Sequence, residues 1–314
     1  MRPSLSAVLD RGWSRVDALV TPRVYAVLRI GTALLVLARS TDWLRPVVTL
    51  DHHAWLRGVE HAPWSEASSA PMLATPLLPG LGALVTVPWL GNTFALARTT
   101  AAFTLLFGVG SRSSALIVGL TGYALMAADA FRYLHHLHVL YLSCLLLALM
   151  PSGRWLALDL WISRSARADV PKWPLQLWRV HVLLVYAASG AAKLRSDWLD
   201  GSLLTLHVDT GLIDRTLWAA STRVVTPSQI AIGLALLELA LVPLLAFRRT
   251  RWLGIGLALS FHALSAHAMM VSTFPMQMAL ALVAFLPWRE SSSQPSELPR
   301  RDTFATRRVP CVRG

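Results

Sequence analysis

Long apolar runs separated by short polar clusters dominate the chain. A bilayer-crossing helix needs about 20 mostly apolar residues, with every backbone hydrogen bond made inside the helix. Runs of that kind occur at Val24–Trp43, Gly91–Val109, Ser113–Ala128, His136–Met150, Leu175–Leu194, Gln229–Phe247 and Trp252–Trp288. The last contains no Asp, Glu, Lys or Arg and is too long for one crossing. Phe274-Pro275 divides it into helices near 252–271 and 275–288, because proline removes a backbone donor and disfavours helix just before it. The pattern predicts an all-α fold, a polytopic integral-membrane bundle of about eight helices. Residues 24–288 make the transmembrane domain, 1–23 a cytoplasmic amphipathic segment on the inner surface, and 289–314 a disordered Ser-, Pro- and Arg-rich tail. Residues 45–90 read as a long outer loop, and no internal repeat is visible.

Composition sharpens this. The chain has 314 residues, 54% hydrophobic and only 15% charged, with a mean hydropathy of +0.51. Soluble domains carry about 25% charge, which rules out a disordered protein and argues strongly against a cytosolic enzyme with polar faces. The net charge is +12, yet the arginines fall in short clusters between apolar runs rather than in a nucleic-acid-binding patch. With both termini inside, residues 1–23, 151–174, 248–251 and the tail hold most of them, while Asp197, Asp200, Asp209 and Asp214 lie outside. This is the positive-inside bias of an inner-membrane protein. No apolar stretch in the first twenty residues resembles a cleaved signal. Tryptophans at predicted boundaries (Trp43, Trp155, Trp173, Trp178, Trp198, Trp252, Trp288) read as interfacial anchors. Two cysteines, Cys144 and Cys311, make neither a disulfide framework nor a four-ligand zinc site.

Ionisable groups within crossings are expensive and are candidate functional residues. Of 29 basic residues only Lys172 and Lys193 are lysines, and Lys193 follows six small residues, Ala187 to Ala192. Small residues admit a close neighbouring helix, which turns the lysine toward the bundle. Desolvation disfavours an ammonium, giving a neutral amine usable as base or nucleophile. The alternative is that Lys193 snorkels outward and pairs with Asp197. Glu238, alone in its crossing, is either protonated or paired, with an arginine the ordinary partner. His262 lies mid-helix and needs a hydrogen-bond partner, as a pocket residue or a tie between helices. His135 and His138 share a helix face at metal-compatible spacing, but no third ligand accompanies them, so interfacial histidines remain the alternative and no metal is expected. Asp51-His52-His53 is either a polar mouth or a solvated loop. Nucleotide-binding loops, GxSxG, HExxH and Asp-rich diphosphate motifs are absent.

Pro174–Tyr186 followed by Ala192-Lys193-Leu-Arg-Ser-Asp197-Trp198-Leu-Asp-Gly201 resembles a segment of the vitamin K-dependent gamma-carboxylase family, whose membrane part has the HTTM-type fold. There an apolar helix with a tyrosine leads into Lys-Lys-Leu-x-x-Asp-Trp-x-x-Gly. Leu134-His135-His136 through Trp155–Asp159, Ser260-Phe261-His262 and Val27-Leu28-Arg29 match further stretches in the same order. The resemblance implies a membrane enzyme in which Lys193 is the base that deprotonates a quinol, with His136 and His262 as pocket histidines and Tyr186 lining the cavity. Arg29, His135, His138, Asp197 and Glu238 complete the expected substrate contacts. The family's first lysine is Ala192 here, and no lumenal domain follows the bundle in this sequence. The implied partner is therefore a lipid-soluble isoprenoid or vitamin K-like quinol in the bilayer, with no nucleic acid, rather than a protein glutamate.

Two rival functions share the scaffold. An isoprenoid (terpene) cyclase would use aromatic walls at Trp89, Phe103, Phe107, Tyr123 and Phe131 to stabilise carbocations. A non-catalytic peptide-maturation or immunity protein would tolerate Lys193→Ala and depend on the outer loops. Transport is the weakest reading, since paired half-helices are lacking.

Overall fold

The computed structural model describes residues 18–49, 77–78, 80–128, 134–163, 169–269 and 273–289. The expectations for the N-terminal segment before residue 18, for Asp51-His52-His53, for Phe131 and for the tail beyond residue 289 lie outside those residues.

The regular structure is helical apart from an antiparallel pairing of β1 (Leu19–Val20) with β2 (Val170–Pro171) and a bridge between Ile213 and Met269. The helices are α1 (Arg23–Thr49), α2 (Ala83–Thr86), α3 (Pro88–Phe107), α4 (Ser111–Ala127), α5 (His135–Ala148) and α6 (Leu158–Ser163). They continue with α7 (Trp173–Ala192), α8 (Ser196–Leu199), α9 (Ser202–Asp209), α10 (Arg215–Ser221), α11 (Pro227–Ala246), α12 (Arg251–Ala268) and α13 (Phe274–Leu282). α1 packs on α3, α5 and α13; α7 packs on α5, α11 and α13; α4 bridges α3 and α5, and α12 bridges α11 and α13. The first half of the bundle is thus organised around α1 and the second around α7.

Proline acts differently from the expectation at 274–275. The break falls before Phe274, and Pro275 occupies the first turn of α13, where its missing N–H is not needed and its fixed φ suits a helix start. The 195–225 piece is not a plain outer loop: it folds into α8, α9 and α10. Among the described residues one helix, Pro227–Ala246, is long and apolar enough by itself to cross a membrane; His135–Ala148 and Phe274–Phe285 are apolar but shorter.

Several of the other helices are too short, and polar groups carried along the bundle point inward. Arg29, Arg98, Glu238, His262 and Gln277 are buried, while Leu34, Phe103, Phe107, Leu120, Leu184, Leu236 and Leu253 lie on the outside. A water-soluble bundle shows the reverse arrangement. Trp178 also departs from the boundary reading. It sits in the core, its indole N–H donating to the Ala281 carbonyl at 3.3 Å.

The small-residue stretch closes α7 onto α11. A Cβ placed on Gly190 would lie 2.8 Å from Leu239 Cγ and 3.1 Å from the Leu239 backbone nitrogen, closer than packed atoms tolerate. Gly190→Val is therefore expected to force the two helices apart and destabilise the protein by about 1–3 kcal/mol, the usual range for overpacking. Thermal unfolding in lipid nanodiscs measures this; an unchanged midpoint would refute the tight α7–α11 contact.

Candidate functional site

Tyr186, Ser189 and Lys193 follow one another at intervals of three and four along α7 and so share one face. Lys193 caps the end of that helix, a place where the helix dipole favours a cation. Its Nζ donates back to Ser189 Oγ at 2.7 Å and across to Glu238 Oε2 of α11, also at 2.7 Å. The lysine side chain is 18% exposed and the glutamate 6%. The lysine is not alone in the bundle, because a carboxylate holds it. It does not pair with Asp197, which instead accepts from Arg195 at 2.9 Å on an exposed turn. Glu238's partner is a lysine and not an arginine.

Trp198 stands over the pair, its ring centroid 5.1 Å from Nζ. The indole N–H donates to the Ala231 carbonyl at 3.1 Å, which fixes the ring on α11. This tryptophan is a wall of the site. The corner that carries it depends on Gly201, at φ +83°, where a Cβ would meet the Pro227 backbone at 2.6 Å. Only glycine combines that dihedral with that approach.

α12 supplies His262, whose Nε2 lies 2.8 Å from the Tyr186 hydroxyl. Its buried Nδ1 has no hydrogen-bond partner. An unpaired buried N–H is the costlier defect, which favours the tautomer with the proton on Nε2. Nε2–H then donates to the tyrosine oxygen and leaves the Tyr186 O–H available to a ligand. Phe274 packs edge-on against His262, ring centroids 5.6 Å apart, and lies 6.3 Å from the His136 ring.

These groups share a cavity of about 400 Å³. Its walls are otherwise mostly apolar, with Trp218, Phe261, Leu264 and Phe274 among them; His207, Ser221 and Ser265 contribute from α9, α10 and α12. Burial pushes the His207 imidazole below its ordinary pKa.

Lys193, Glu238, Tyr186 and His262 therefore meet, although 45 residues separate the first two in sequence. His136 lies one aromatic ring away, behind Phe274. Asp197 is on the turn beside the site. His138 is elsewhere, its Nδ1 3.0 Å from the Tyr123 hydroxyl, and among the described residues no cluster of three metal-ligating side chains includes it or His135. Arg29 is also elsewhere, donating to the carbonyls of Ser152, Trp155 and Leu156. The aromatic residues suggested for a cyclase do not line the cavity: Trp89, Phe103 and Phe107 face outward, and Tyr123 bonds His138. Ser189, Trp198, His207 and Phe274 are site residues that sequence reasoning missed. A tryptophan five residues after the lysine was a readable signal; the others had none.

Residues 71–288 match the HTTM domain, the domain found in the transmembrane part of vitamin K-dependent gamma-carboxylases. The chain belongs to the HTTM family. No protein of curated function and no solved structure matches it. The HTTM match takes in every cavity residue and begins after α1, which nonetheless packs on α3, α5 and α13. An HTTM chain is a membrane protein, and lipid as solvent accounts for its outward apolar side chains.

Tyr186 and His262 form a coupled unit. In a double-mutant cycle of Tyr186→Phe and His262→Leu, the stability losses should be non-additive by about 0.5–3 kcal/mol, as for contacting residues. Additive losses in chemical unfolding would show that the 2.8 Å contact contributes nothing.

Proposed function

We propose that this protein is an integral-membrane enzyme that acts on a lipid-soluble isoprenoid or quinol, with the Lys193–Glu238 pair as its proton acceptor. The observation that carries this reading is the position of the motif lysine. Its Nζ sits on the wall of a mostly apolar cavity, 2.7 Å from a buried carboxylate. In a dry site the charged and neutral forms of such a pair lie closer in energy than in water. Lys193 Nζ passes a proton to Glu238 Oε2 and then takes the hydroxyl proton of the bound molecule. The ligand is left with one negative charge and the pair with one positive. Tyr186 O–H is placed to donate to the new oxyanion, and His262 holds the tyrosine in position. His136, behind Phe274, is assigned to orienting groups or relaying protons. Arginine could not replace the lysine, because guanidinium does not release its proton in proteins.

The remaining architecture follows the charge pattern: about eight crossings of an inner membrane, both termini cytoplasmic and the pocket on the outer side. Outward apolar side chains on α3, α4, α7, α11 and α12 support several crossings rather than one. Mass spectrometry of lipid extracts from cells carrying the wild type, Lys193→Arg, or no protein tests the function. The expected result is a prenylated quinone-derived species present with the wild type alone. Identical lipid profiles in all three would remove the reading.

A further inference from the structure

α6 is a six-residue helix in the connection between α5 and α7, at the end of the bundle where α3 turns into α4. So short a helix does not hold itself together in water; its surroundings hold it. Asp159 Oδ2 accepts from the Gly110 N–H at 2.7 Å, at the N-terminus of α4. Ala157, just before α6, is buried against Gly108, where a Cβ would come within 2.7 Å of the Ala157 backbone. Gly153 packs on Ser111 in the same way, a Cβ there lying 3.0 Å from Ser111 Oγ. Arg29 secures the carbonyls of Ser152, Trp155 and Leu156. None of these contacts uses the side chains of Leu158, Trp161 or Ile162. Those three, at spacings of three and four, share a face. That face is uncovered: Leu158 is exposed, Trp161 is 80% exposed and Ile162 79%.

Its neighbours indicate what covers it. Phe107 and Val109, at the α3–α4 turn to which α6 is fastened, are exposed apolar side chains on the outside of the bundle, so the α6 face continues a surface that already meets lipid. The polar side chains beside it are cationic. Arg154 is exposed in the turn just before α6. Arg112 is exposed in the first turn of α4, next to the Ser111 on which Gly153 packs, and its Nε donates to the Met150 carbonyl at 3.4 Å. Arg23 stands over the Trp155 ring, 5.8 Å from its centroid. Of the two carboxylates here, Asp159 is bonded to Gly110 and Asp169 is exposed before β2. We propose that α6 is an interfacial foot that binds anionic phospholipid. Trp161 and Ile162 enter the boundary between headgroups and acyl chains of the leaflet at this end, and Arg112 and Arg154 take the lipid phosphates. Tryptophan settles at headgroup level, arginine matches phosphate geometry, and an apolar face flanked by basic residues is the design of a helix lying in the interface plane. A protein partner would have to reach a face that begins level with the last lipid-facing residues of α3. The foot is independent of the cavity and gives the protein a lipid preference of its own.

Spin labelling in nanodiscs of phosphatidylcholine and phosphatidylglycerol tests the insertion without requiring turnover. The protein carries Cys311→Ser; Cys144 is buried and does not compete for label. A label at Ile162→Cys is compared with one at Asp169→Cys, a water reference in the same connection. Dissolved oxygen should relax the Ile162 label more than the Asp169 label, and a nickel chelate should relax it several-fold less. Equal relaxation of the two labels by the chelate overturns the insertion. A label at Ile162 closed to both oxygen and chelate shows that protein covers the face, whether another segment or a second copy, and overturns it too. Lipid charge is read separately with spin-labelled phosphatidylglycerol and phosphatidylcholine. The wild type should retain the anionic lipid several-fold more strongly at its surface. Arg112→Gln combined with Arg154→Gln should reduce that preference several-fold, and high salt should weaken it in the wild type. A preference unchanged in the double variant overturns the phosphate contacts. If Ile162→Cys fails to assemble, a label at Leu158→Cys reads the same face, and Arg154→Gln alone serves in place of the double variant.

Discussion

Lys193→Met should abolish activity and destabilise the protein by about 3–5 kcal/mol, the range for removing one member of a buried ion pair. The stability loss belongs to Glu238. With the lysine gone, its carboxylate keeps only a small exposed fraction and no cation at 2.7 Å. Three further variants separate structure from chemistry. Lys193→Arg restores a cation, so the unfolding midpoint should return most of the way. Activity should stay at least about 10²-fold down, the lower range for loss of a general base. Lys193→Met combined with Glu238→Leu removes both charges, and replacing a buried pair with apolar groups is often neutral or stabilising. The double variant should therefore be more stable than Lys193→Met alone and equally inactive. Glu238→Gln, which keeps the shape, should remain folded and lose the proton store. Chemical unfolding in nanodiscs and product formation in membranes give the two readouts. Full activity in Lys193→Arg would end the case for a base at this position, and an inactive Glu238→Gln that also fails to bind a prenylated quinone would shift the role of the pair from proton transfer to ligand positioning.

The all-α class was legible because lipid-length apolar runs have few other physical explanations. The break near Phe274 was legible for the same reason, though Pro275 starts α13 instead of ending α12. Lys193 stood out as one lysine among arginines behind a small-residue stretch, and Gly190 shows why that stretch matters. The partner was hidden. Glu238 is 45 residues away, and nothing local to α7 or α11 says which of their faces meet. A charge argument comes nearest: a single carboxylate in one crossing and a single amine in another satisfy each other more economically than either with a distant arginine. Trp178 misled because tryptophan suits a membrane interface and a packed core equally, and only contacts decide between them. The short helices α8 to α10 were unreadable, since four- to eight-residue helices carry little periodic signal.

Arg29 separates a site residue from a clamp. Its guanidinium is fully buried and donates to Ser152 O at 2.7 Å, Trp155 O at 3.3 Å and Leu156 O at 2.5 Å. Leu156 holds a φ of +47°, a left-handed conformation that costs a leucine roughly 1–2 kcal/mol and persists where the surroundings over-determine it. The arginine supplies that constraint. It lies one turn beyond Tyr25, which accepts from the Leu175 N–H near the start of α7. Lys193 ends the same helix eighteen residues later, about 27 Å along at 1.5 Å per residue. Arg29→Met strands three carbonyls and releases the Leu156 turn. Hydrogen bonds to charged groups contribute about 1.5–3 kcal/mol each, and partial rehydration of the loop offsets part of that, so a loss on the order of 3–5 kcal/mol is expected. Arg29→Lys, which lacks the planar fork, should recover only a fraction of it. In the fraction that remains folded, the affinity for a prenylated quinone should equal that of the wild type. Weakened binding with an unchanged unfolding midpoint would return Arg29 to the substrate contacts that its motif suggests.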